Sequence, residues 1–252
     1  MGVRPLQYLE MFHFLKSRPV LRGLIPDDFI DIHSHLLPGI DDGAVTLDDT
    51  LSLVQEMRQI GFAKCITTPH IYTSVWDNTK EKIEEKFTET LPHLPKEISF
   101  RAAAEYMIDS YFSKIVQNGP LATLKENLVL VELSYINPPI QLYDILFELQ
   151  IAGYRPVLAH PERYPFYYSN FGELQKLKNA GCLLQLNLLS TVGYYGHEVT
   201  KSCDLLLKKG LIDFVGSDIH HQKHILSFSN KVLIKDIKAL KSAIANNKYF
   251  DF

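Results

Sequence analysis

Short apolar runs alternate with longer amphipathic stretches from residue 29 onward. The apolar runs are rich in β-branched residues, as expected for buried strands, and a helical pattern follows each of them. Seven strand candidates follow from this pattern, at residues 29–32, 64–67, 98–104, 128–133, 155–159, 182–188 and 213–216. Such alternation predicts an α/β fold with a parallel sheet.

The first predicted helix has clear boundaries at both ends. Thr46 offers a capping hydroxyl, Asp48 and Asp49 place acidic groups in the first turn, and Gly61 follows the last apolar position. Further glycines lie between a predicted helix and the next strand, at Gly153, Gly181 and Gly210. This regular placement favours one barrel over two domains.

Composition excludes several classes of function. The 252 residues carry 26 basic and 29 acidic groups, so the formal charge is 26 − 29 = −3 and no global field attracts nucleic acid or a membrane surface. The three cysteines are far apart, which indicates neither disulfides nor a cysteine zinc site and fits a cytoplasmic protein. None has an arginine six positions later, so the phosphate loop of cysteine-dependent tyrosine phosphatases is absent. These cysteines, which we expect to pack in the core, are Cys65, Cys182 and Cys203.

Residues 1–28 are predicted to form a helical N-terminal extension, with residues 29–252 as a single domain. Glu10, His13 and Lys16 interrupt any apolar run long enough for secretion or membrane insertion. Residues 5–17 fit an amphipathic helix packed on the main fold, with docking on a partner or a membrane face as the alternative.

Imidazole and carboxylate side chains cluster where the predicted strands end. In a closed parallel barrel these ends open onto one face, so the side chains converge. Residues i and i+2 of an extended segment point the same way, so His33 and His35 can bind one ion together, as can Asp218 and His220. The strand-end residues are His33, His35, His70, Glu105, Glu132, His160, Asp218 and His220. In the glycine-containing loop 38–43, either Asp41 or Asp42 can turn inward, and spacing does not choose between them.

Four segments together resemble the bacterial tyrosine-protein phosphatases of the polymerase-and-histidinol-phosphatase (PHP) class. The match runs from about residue 29 to about residue 224, in the same order. The segments are Asp31-Ile32-His33-Ser34-His35-Leu36-Leu37-Pro38-Gly39-Ile40-Asp41-Asp42-Gly43, Thr68-Pro69-His70, His160-Pro161-Glu162-Arg163 and Ser217-Asp218-Ile219-His220.

The resemblance implies a distorted seven-stranded (β/α)7 TIM-like barrel that binds three divalent ions. Manganese is the first expectation for these ions, with iron, zinc or magnesium as alternatives. The resemblance selects Asp42 over Asp41, and the implied ligands are His33, His35, Asp42, His70, Glu105, Glu132, His160, Asp218 and His220.

The implied chemistry is attack on phosphorus by a metal-bound hydroxide. In this hypothesis Glu105 bridges two ions, Arg163 orients the phosphoryl group, and His220 or a metal-bound site assists the leaving phenolate. The family's second basic phosphate contact, an arginine shortly after Asp-x-His, is not matched, and Lys223 or His221 are the candidates to replace it.

The implied substrate is phosphotyrosine on a protein of capsule or exopolysaccharide synthesis, namely the tyrosine-rich tail of a bacterial tyrosine kinase. The alternative is histidinol-phosphate phosphatase or another small-molecule phosphomonoesterase of the class, against which the Pro-Gly-Ile-Asp-Asp-Gly loop argues. A nuclease would need a basic stripe, and a non-enzymatic regulator would lack ligands. Asn187 is a weaker candidate for orienting a ligand, and several aromatics are candidate walls for a phosphotyrosine ring: Tyr72, Trp76, Tyr106, Tyr164, Tyr167, Tyr168, Tyr194 and Tyr195.

Overall fold

The computed structural model describes residues 18–252. The helix predicted over residues 5–17 lies outside the described residues. Within residues 18–28, a 3-10 helix spans Leu21–Leu24, and Leu21 and Ile25 pack in the same apolar cluster as the first strand and helix. The division of the chain at residue 28 stays a prediction.

The described chain forms nine strands, and all of their pairings are parallel. They lie in a three-stranded sheet of order β1-β2-β4 and a six-stranded sheet of order β3-β5-β6-β7-β8-β9. The strands are β1 Phe29–Asp31, β2 Phe62–Thr67, β3 His70–Ile71, β4 Ser99–Ala102, β5 Glu105–Met107, β6 Leu128–Glu132, β7 Arg155–Ala159, β8 Leu183–Asn187 and β9 Phe214–Gly216.

The parallel α/β fold is confirmed. The strand pairings of the described residues do not form a closed barrel of seven strands. One predicted strand is followed, after Thr68 and Pro69, by the extra strand β3. The strand predicted over residues 98–104 ends at Ala102 as β4, and after Ala103 and Ala104 a second extra strand, β5, begins. Pro69 has no N–H to donate, so it interrupts the ladder between the two sheets. Single hydrogen bonds continue across the interruption, from the Ala103 N–H to the Thr67 carbonyl and from the Glu105 N–H to the Pro69 carbonyl.

Helices follow the strands as the amphipathic pattern predicts. The helices are α1 Leu47–Ile60, α2 Lys80–Thr90, α3 Phe112–Asn118, α4 Leu142–Ile151, α5 Phe171–Asn179, α6 His197–Lys208, α7 Gln222–Ser227 and α8 Ile237–Asn246. The Thr46 hydroxyl accepts a hydrogen bond from the Asp49 N–H, and the Asp49 carboxylate accepts one from the Thr46 N–H. Gly61 ends α1 with φ 125°, and a Cβ there would lie 2.6 Å from the Pro26 carbonyl oxygen. Both predicted boundaries of this helix are confirmed.

Buried apolar side chains of both sheets pack together. One cluster contains Ile30 of β1, Ile66 of β2, Leu130 of β6 and Val157 of β7, with Phe250 from the C-terminal segment. All three cysteines are buried and free, and burial raises the pKa of each thiol, as expected for core residues. Among residues 18–252, no helix has the length and apolar character needed to cross a membrane.

Candidate metal centre

In two of the loops that carry candidate ligands, one residue has a left-handed backbone conformation. His160, directly after β7, has φ 36°, and Asp218, two residues after β9, has φ 52°. Non-glycine residues in this region cost on the order of 1–3 kcal/mol, and such strain concentrates at functional sites. Gly43 allows a close approach behind His35, because a Cβ there would lie 2.1 Å from the His35 carbonyl oxygen.

The structure brings together all nine side chains that the sequence proposed as ligands. They form four overlapping groups, and within each group one ligand atom per residue lies within 4.8 Å of the others. The groups are His35, Asp42, His70 and His220; His33, His35 and Asp218; His33, Glu105 and His160; and His70, Glu105 and Glu132. This proximity is a fact of the fold, whereas the role of each residue as a ligand stays a prediction.

His33 and His35 are buried, and hydrogen bonds set the orientation of both rings. His33 Nδ1 lies 2.8 Å from Gln185 Oε1, whose amide is held by a bond from its Nε2 to the Leu186 carbonyl. His35 Nδ1 lies 2.7 Å from Asp41 Oδ2. Since both acceptors are oxygens, each Nδ1 carries the hydrogen, and the two Nε2 atoms face each other at 3.3 Å. Both Nε2 atoms also lie within 3.4 Å of Glu105 Oε2, and imidazole and carboxylate donors that converge in this way form a set that fits a bound metal ion.

Glu105 lies at the centre of the cluster, and its two oxygens face different imidazoles. Oε1 is 3.1 Å from His160 Nε2, while Oε2 is 3.1 Å from His33 Nε2 and 3.3 Å from His70 Nδ1. Burial opposes ionisation of this carboxyl, but the facing imidazoles hold its pKa well below the ordinary value. The two oxygens of this carboxylate are thus turned to different imidazoles, so Glu105 would be able to serve as a ligand in two of the groups.

Asp41 and Asp42 have different surroundings, and both belong to the centre. Asp41 is buried and accepts hydrogen bonds from His35 Nδ1 and from the backbone N–H groups of Gly43 and His70. The side chain of Asp42 is half exposed, and its Oδ1 lies 3.4 Å from the Nε2 atoms of both His70 and His220. The geometry therefore favours Asp42 as a ligand and Asp41 as the residue that orients His35.

Arg163 is held beside Asp218 by an ion pair and by two aromatic rings. Its Nη1 donates to Asp218 Oδ2 at 2.6 Å, and its guanidinium lies 4.1 Å from the ring centre of Tyr195 and 5.1 Å from that of Tyr135. Asn187 donates to the same Asp218 oxygen at 2.9 Å and to the Tyr195 hydroxyl at 3.1 Å. A cation fixed in this way can receive an anionic group at the edge of the cluster.

The segment after Asp218 contains histidines in place of the expected second arginine. The His220 N–H donates to Nδ1 of the buried His224. The pKa of His224 is lowered to about 3, chiefly by burial and then by the neighbouring His221. The His221 ring packs against that of His224 with centres 4.0 Å apart, and the side chain of Lys223 is exposed. Which of them replaces the second phosphate contact stays a prediction.

Comparison with known proteins identifies the family of this chain. A family model described as capsular polysaccharide synthesis, CpsB/CapC, matches residues 29–227. The chain belongs to the CpsB/CapC family. The putative tyrosine-protein phosphatase CapC of Staphylococcus aureus is 25% identical over 228 residues, which cover 87% of this chain and 89% of the relative. The tyrosine-protein phosphatase YwqE of Bacillus subtilis is 29% identical over 198 residues, 77% of this chain and 78% of YwqE.

A solved structure supports the same relationship. The crystal structures of YwqE from Bacillus subtilis and CpsB from Streptococcus pneumoniae, described as unique metal-dependent tyrosine phosphatases, give a match with a TM-score of 0.72 and 26% identity. The match covers 88% of this chain and 88% of that one. The predicted family of capsular tyrosine phosphatases is therefore confirmed.

Three residues of this CpsB/CapC chain matter to the site but were missed as candidates. Gln185 orients His33, and Glu162 accepts hydrogen bonds from the Asn187 N–H and the Ser190 hydroxyl. Tyr135 stacks on the His160 ring and faces Arg163. A signal existed for Gln185, because an amide inside an apolar strand, two positions before Asn187, lies on the same face of that strand.

The aromatic residues suggested as ring-binding walls divide into core and rim. Tyr106, Tyr164 and Tyr167 are buried, and the hydroxyls of Tyr106 and Tyr164 accept hydrogen bonds from backbone N–H groups. They pack in the core of the CpsB/CapC fold. Tyr195 contacts Arg163, and its neighbour Tyr194 packs against His224.

Proposed function

We propose that this chain is a metal-dependent protein-tyrosine phosphatase of capsule or exopolysaccharide synthesis. Support comes from the family, whose members CapC, YwqE and CpsB are named tyrosine-protein phosphatases. The observation that carries the proposal is the pair of buried Nε2 atoms of His33 and His35, which face each other at 3.3 Å beside Glu105. Seven further ligand-type side chains surround this pair at the same end of the sheets.

The proposed centre holds three divalent ions, with manganese as the first choice and iron, zinc or magnesium as alternatives. The ligands are His33, His35, Asp42, His70, Glu105, Glu132, His160, Asp218 and His220. Imidazole and carboxylate donors without thiolate suit these metals. Three ions carry +6, and the four carboxylates of the set reduce this to 6 − 4 = +2, which complements a phosphate dianion.

When bound, divalent ions polarise phosphoryl oxygens and acidify water, and this supplies a nucleophile without a protein side chain. In the proposal Arg163, fixed between two tyrosine rings, orients the phosphoryl group. Glu105 belongs to two of the ligand groups, and in the proposal it is shared by two ions. Nδ1 of His220 lies 2.9 Å from the Asp218 carbonyl, and Nε2 is turned to Asp42. This orientation favours the ligand role of His220, and its assistance to the leaving phenolate stays a prediction.

The proposed substrate is a phosphotyrosine protein, with the tail of a bacterial tyrosine kinase as the specific partner and the cytoplasm as the location. The half-exposed side of the centre around Asp42 gives a protein-borne phosphate access to the site. Arg163 and its two tyrosine rings line the adjoining edge. An aromatic edge of this kind suits a phenyl ring more than a small aliphatic alcohol.

We also propose that the two sheets close into the distorted seven-stranded barrel and that residues 29–252 are one domain. A parallel bridge joins Ser34, after β1, to Ile219, after β9. The His35 N–H donates to the Ile219 carbonyl, and the Asp218 N–H donates to the His33 carbonyl. The apolar cluster built from strands of both sheets supplies the filled interior that a small barrel needs.

The test compares three substrates at equal concentration with the purified, manganese-loaded protein. The substrates are a phosphotyrosine peptide, a phosphoserine peptide and histidinol phosphate. We expect kcat/KM to be largest for the phosphotyrosine peptide. A preference for histidinol phosphate would overturn the proposed substrate while leaving the metal centre in place.

His160→Ala tests the centre itself, with His197→Ala as the matched control. His197 is an exposed histidine outside the cluster, so its loss removes an imidazole without touching the site. We expect only the His160 variant to lose metal, measured by mass spectrometry, together with turnover. A His160→Ala protein with full metal content and normal turnover would contradict the assignment.

A further inference from the structure

A row of exposed apolar side chains begins beside the metal centre and continues along α4. This apolar stripe consists of Ile136, Ile140, Tyr143, Phe147 and Ile151, which are 82%, 98%, 43%, 62% and 72% exposed. Its last three members recur every four residues and therefore lie on one face of α4. The opposite face of the helix, with Leu142, Ile145, Leu146 and Leu149, is buried in the core.

The stripe begins at the residue that follows Tyr135, a contact of the proposed catalytic site. Tyr135, the residue before its first member, stacks on the His160 ring with centres 5.9 Å apart and lies 5.1 Å from the Arg163 guanidinium. Residues 143 to 151 of α4 extend about 12 Å, which is the length of roughly four residues of extended chain. A peptide whose phosphotyrosine enters the centre beside Tyr135 can therefore place its neighbouring residues on the stripe.

The stripe is held in a defined position. Pro138 and Pro139 restrict the backbone just before Ile140. The Tyr143 hydroxyl lies 3.3 Å from Glu173 Oε2 of α5, which fixes the ring on the helix surface. A binding surface that is already ordered loses less entropy when a partner binds.

Area and charge indicate a transient partner of a particular composition. With about 150–200 Å² for each large side chain, the exposed apolar area is on the order of 600 Å². A permanent homodimer buries about 1,000 Å² or more on each subunit, so the stripe is too small for one. Asp144 and Glu148 are exposed on the same helix and form no ion pair within residues 18–252, so they favour a partner with a basic group.

We propose that the apolar stripe is a docking surface for the substrate, namely for an extended segment next to the phosphotyrosine that carries apolar side chains and a Lys or Arg. The inference rests on the proposed tyrosine phosphatase function. The stripe acts on substrate affinity, because its side chains lie outside the ligand groups of the proposed metal centre. Loss of the stripe should therefore raise KM and leave kcat unchanged.

The experiment uses the full-length manganese-loaded protein and two phosphotyrosine peptides of equal length. One peptide carries apolar residues and a lysine within four positions of the phosphotyrosine, and the other has Gly and Ser in place of the apolar residues. We expect the wild-type KM for the apolar peptide to be lower by about tenfold at equal kcat. In Ile140→Ser/Phe147→Ser this preference is expected to disappear, while turnover of p-nitrophenyl phosphate, which is too small to reach the stripe, stays within about twofold.

Leu91→Ser is the matched control, because Leu91 is 45% exposed and lies after α2, away from the stripe. This variant should keep the wild-type preference. Equal KM values for both peptides in the wild type, or a preference that survives in the double variant, would overturn the docking proposal alone. Failure to cleave either peptide, with cleavage of histidinol phosphate, would instead overturn the proposed function. A wild-type dimer that dissociates in the double variant, seen by sedimentation, would show that a second copy covers the stripe and would also overturn the proposal.

Discussion

The inner and outer sides of the candidate metal centre are built differently. On the inner side, His33 and His35 are buried, and each Nδ1 is held by a partner from elsewhere in the fold. On the outer side, the side chain of Asp42 is 52% exposed, and its Oδ1 lies 3.4 Å from the Nε2 atoms of His70 and His220. The inner imidazoles are therefore oriented by the fold itself, whereas the half-exposed carboxylate of Asp42 would take its final position from a bound ion.

Removal of metal should have the largest effect, because both sides depend on it. An ion present at a concentration about 1,000 times its Kd stabilises the folded protein by about 4 kcal/mol. For a chain of this length, that stabilisation raises Tm by roughly 10 °C. We expect a chelator to abolish turnover and to lower Tm by this amount, as measured by scanning fluorimetry. Added manganese should restore both, and an unchanged Tm would show that the cluster holds no structural ion.

Glu105→Gln should be the most damaging single change on the inner side. The amide keeps the shape but removes the charge that balances the imidazoles of His33, His70 and His160. We expect kcat to fall by about 10³-fold, with loss of metal measured by mass spectrometry. Retention of full metal content by a folded Glu105→Gln protein would argue against a bridging carboxylate.

Asp41→Asn should have an intermediate effect, although Asp41 is not proposed as a ligand. The change removes the charge that fixes the His35 ring. Burial alone would lower the pKa of His35, but the Asp41 carboxylate raises it well above its ordinary value. Loss of such an orienting partner costs about 10–100-fold in metal affinity or activity. Titration with manganese, followed by activity, should show a weaker apparent Kd with kcat largely recovered at saturation.

Asp42→Asn on the outer side should have the smallest effect. Its carboxylate is half exposed, so solvent can replace the missing oxygen ligand more easily than inside the core. We expect about a tenfold fall in kcat/KM, partly recovered at high manganese concentration. A larger loss for Asp42→Asn than for Glu105→Gln would reverse the ranking of the two sides.

Several features of the fold were predictable because their causes are local. Thr46 and Gly61 bound α1 as expected, since a capping hydroxyl and a glycine act within a few residues. Seven apolar runs located seven of the nine strands, all except β3 and β5, and the ligand-type residues could be recognised from their position after those runs. The breaks at Pro69 and between β4 and β5 were not predicted, since continuous apolar runs do not reveal which backbone pairs remain bonded.

The different roles of Asp41 and Asp42 needed the folded chain. Both are aspartates in the same turn, and only their distances to His35, His70 and His220 distinguish them. Spacing left the two as alternatives, and the family resemblance selected Asp42 without a role for Asp41. The structure indicates that Asp41 also belongs to the centre.

The sequence by itself determined the order of strands and helices, the family and the set of ligand-type side chains. Tertiary structure alone decided which atoms of those side chains face one another. Gln185 orients His33 across 152 residues, and Tyr135 reaches His160 from a different loop. It also decided that one face of α4 remains exposed beside the centre. Such contacts depend on the packing of distant segments, and periodicity along the chain carries no information about them.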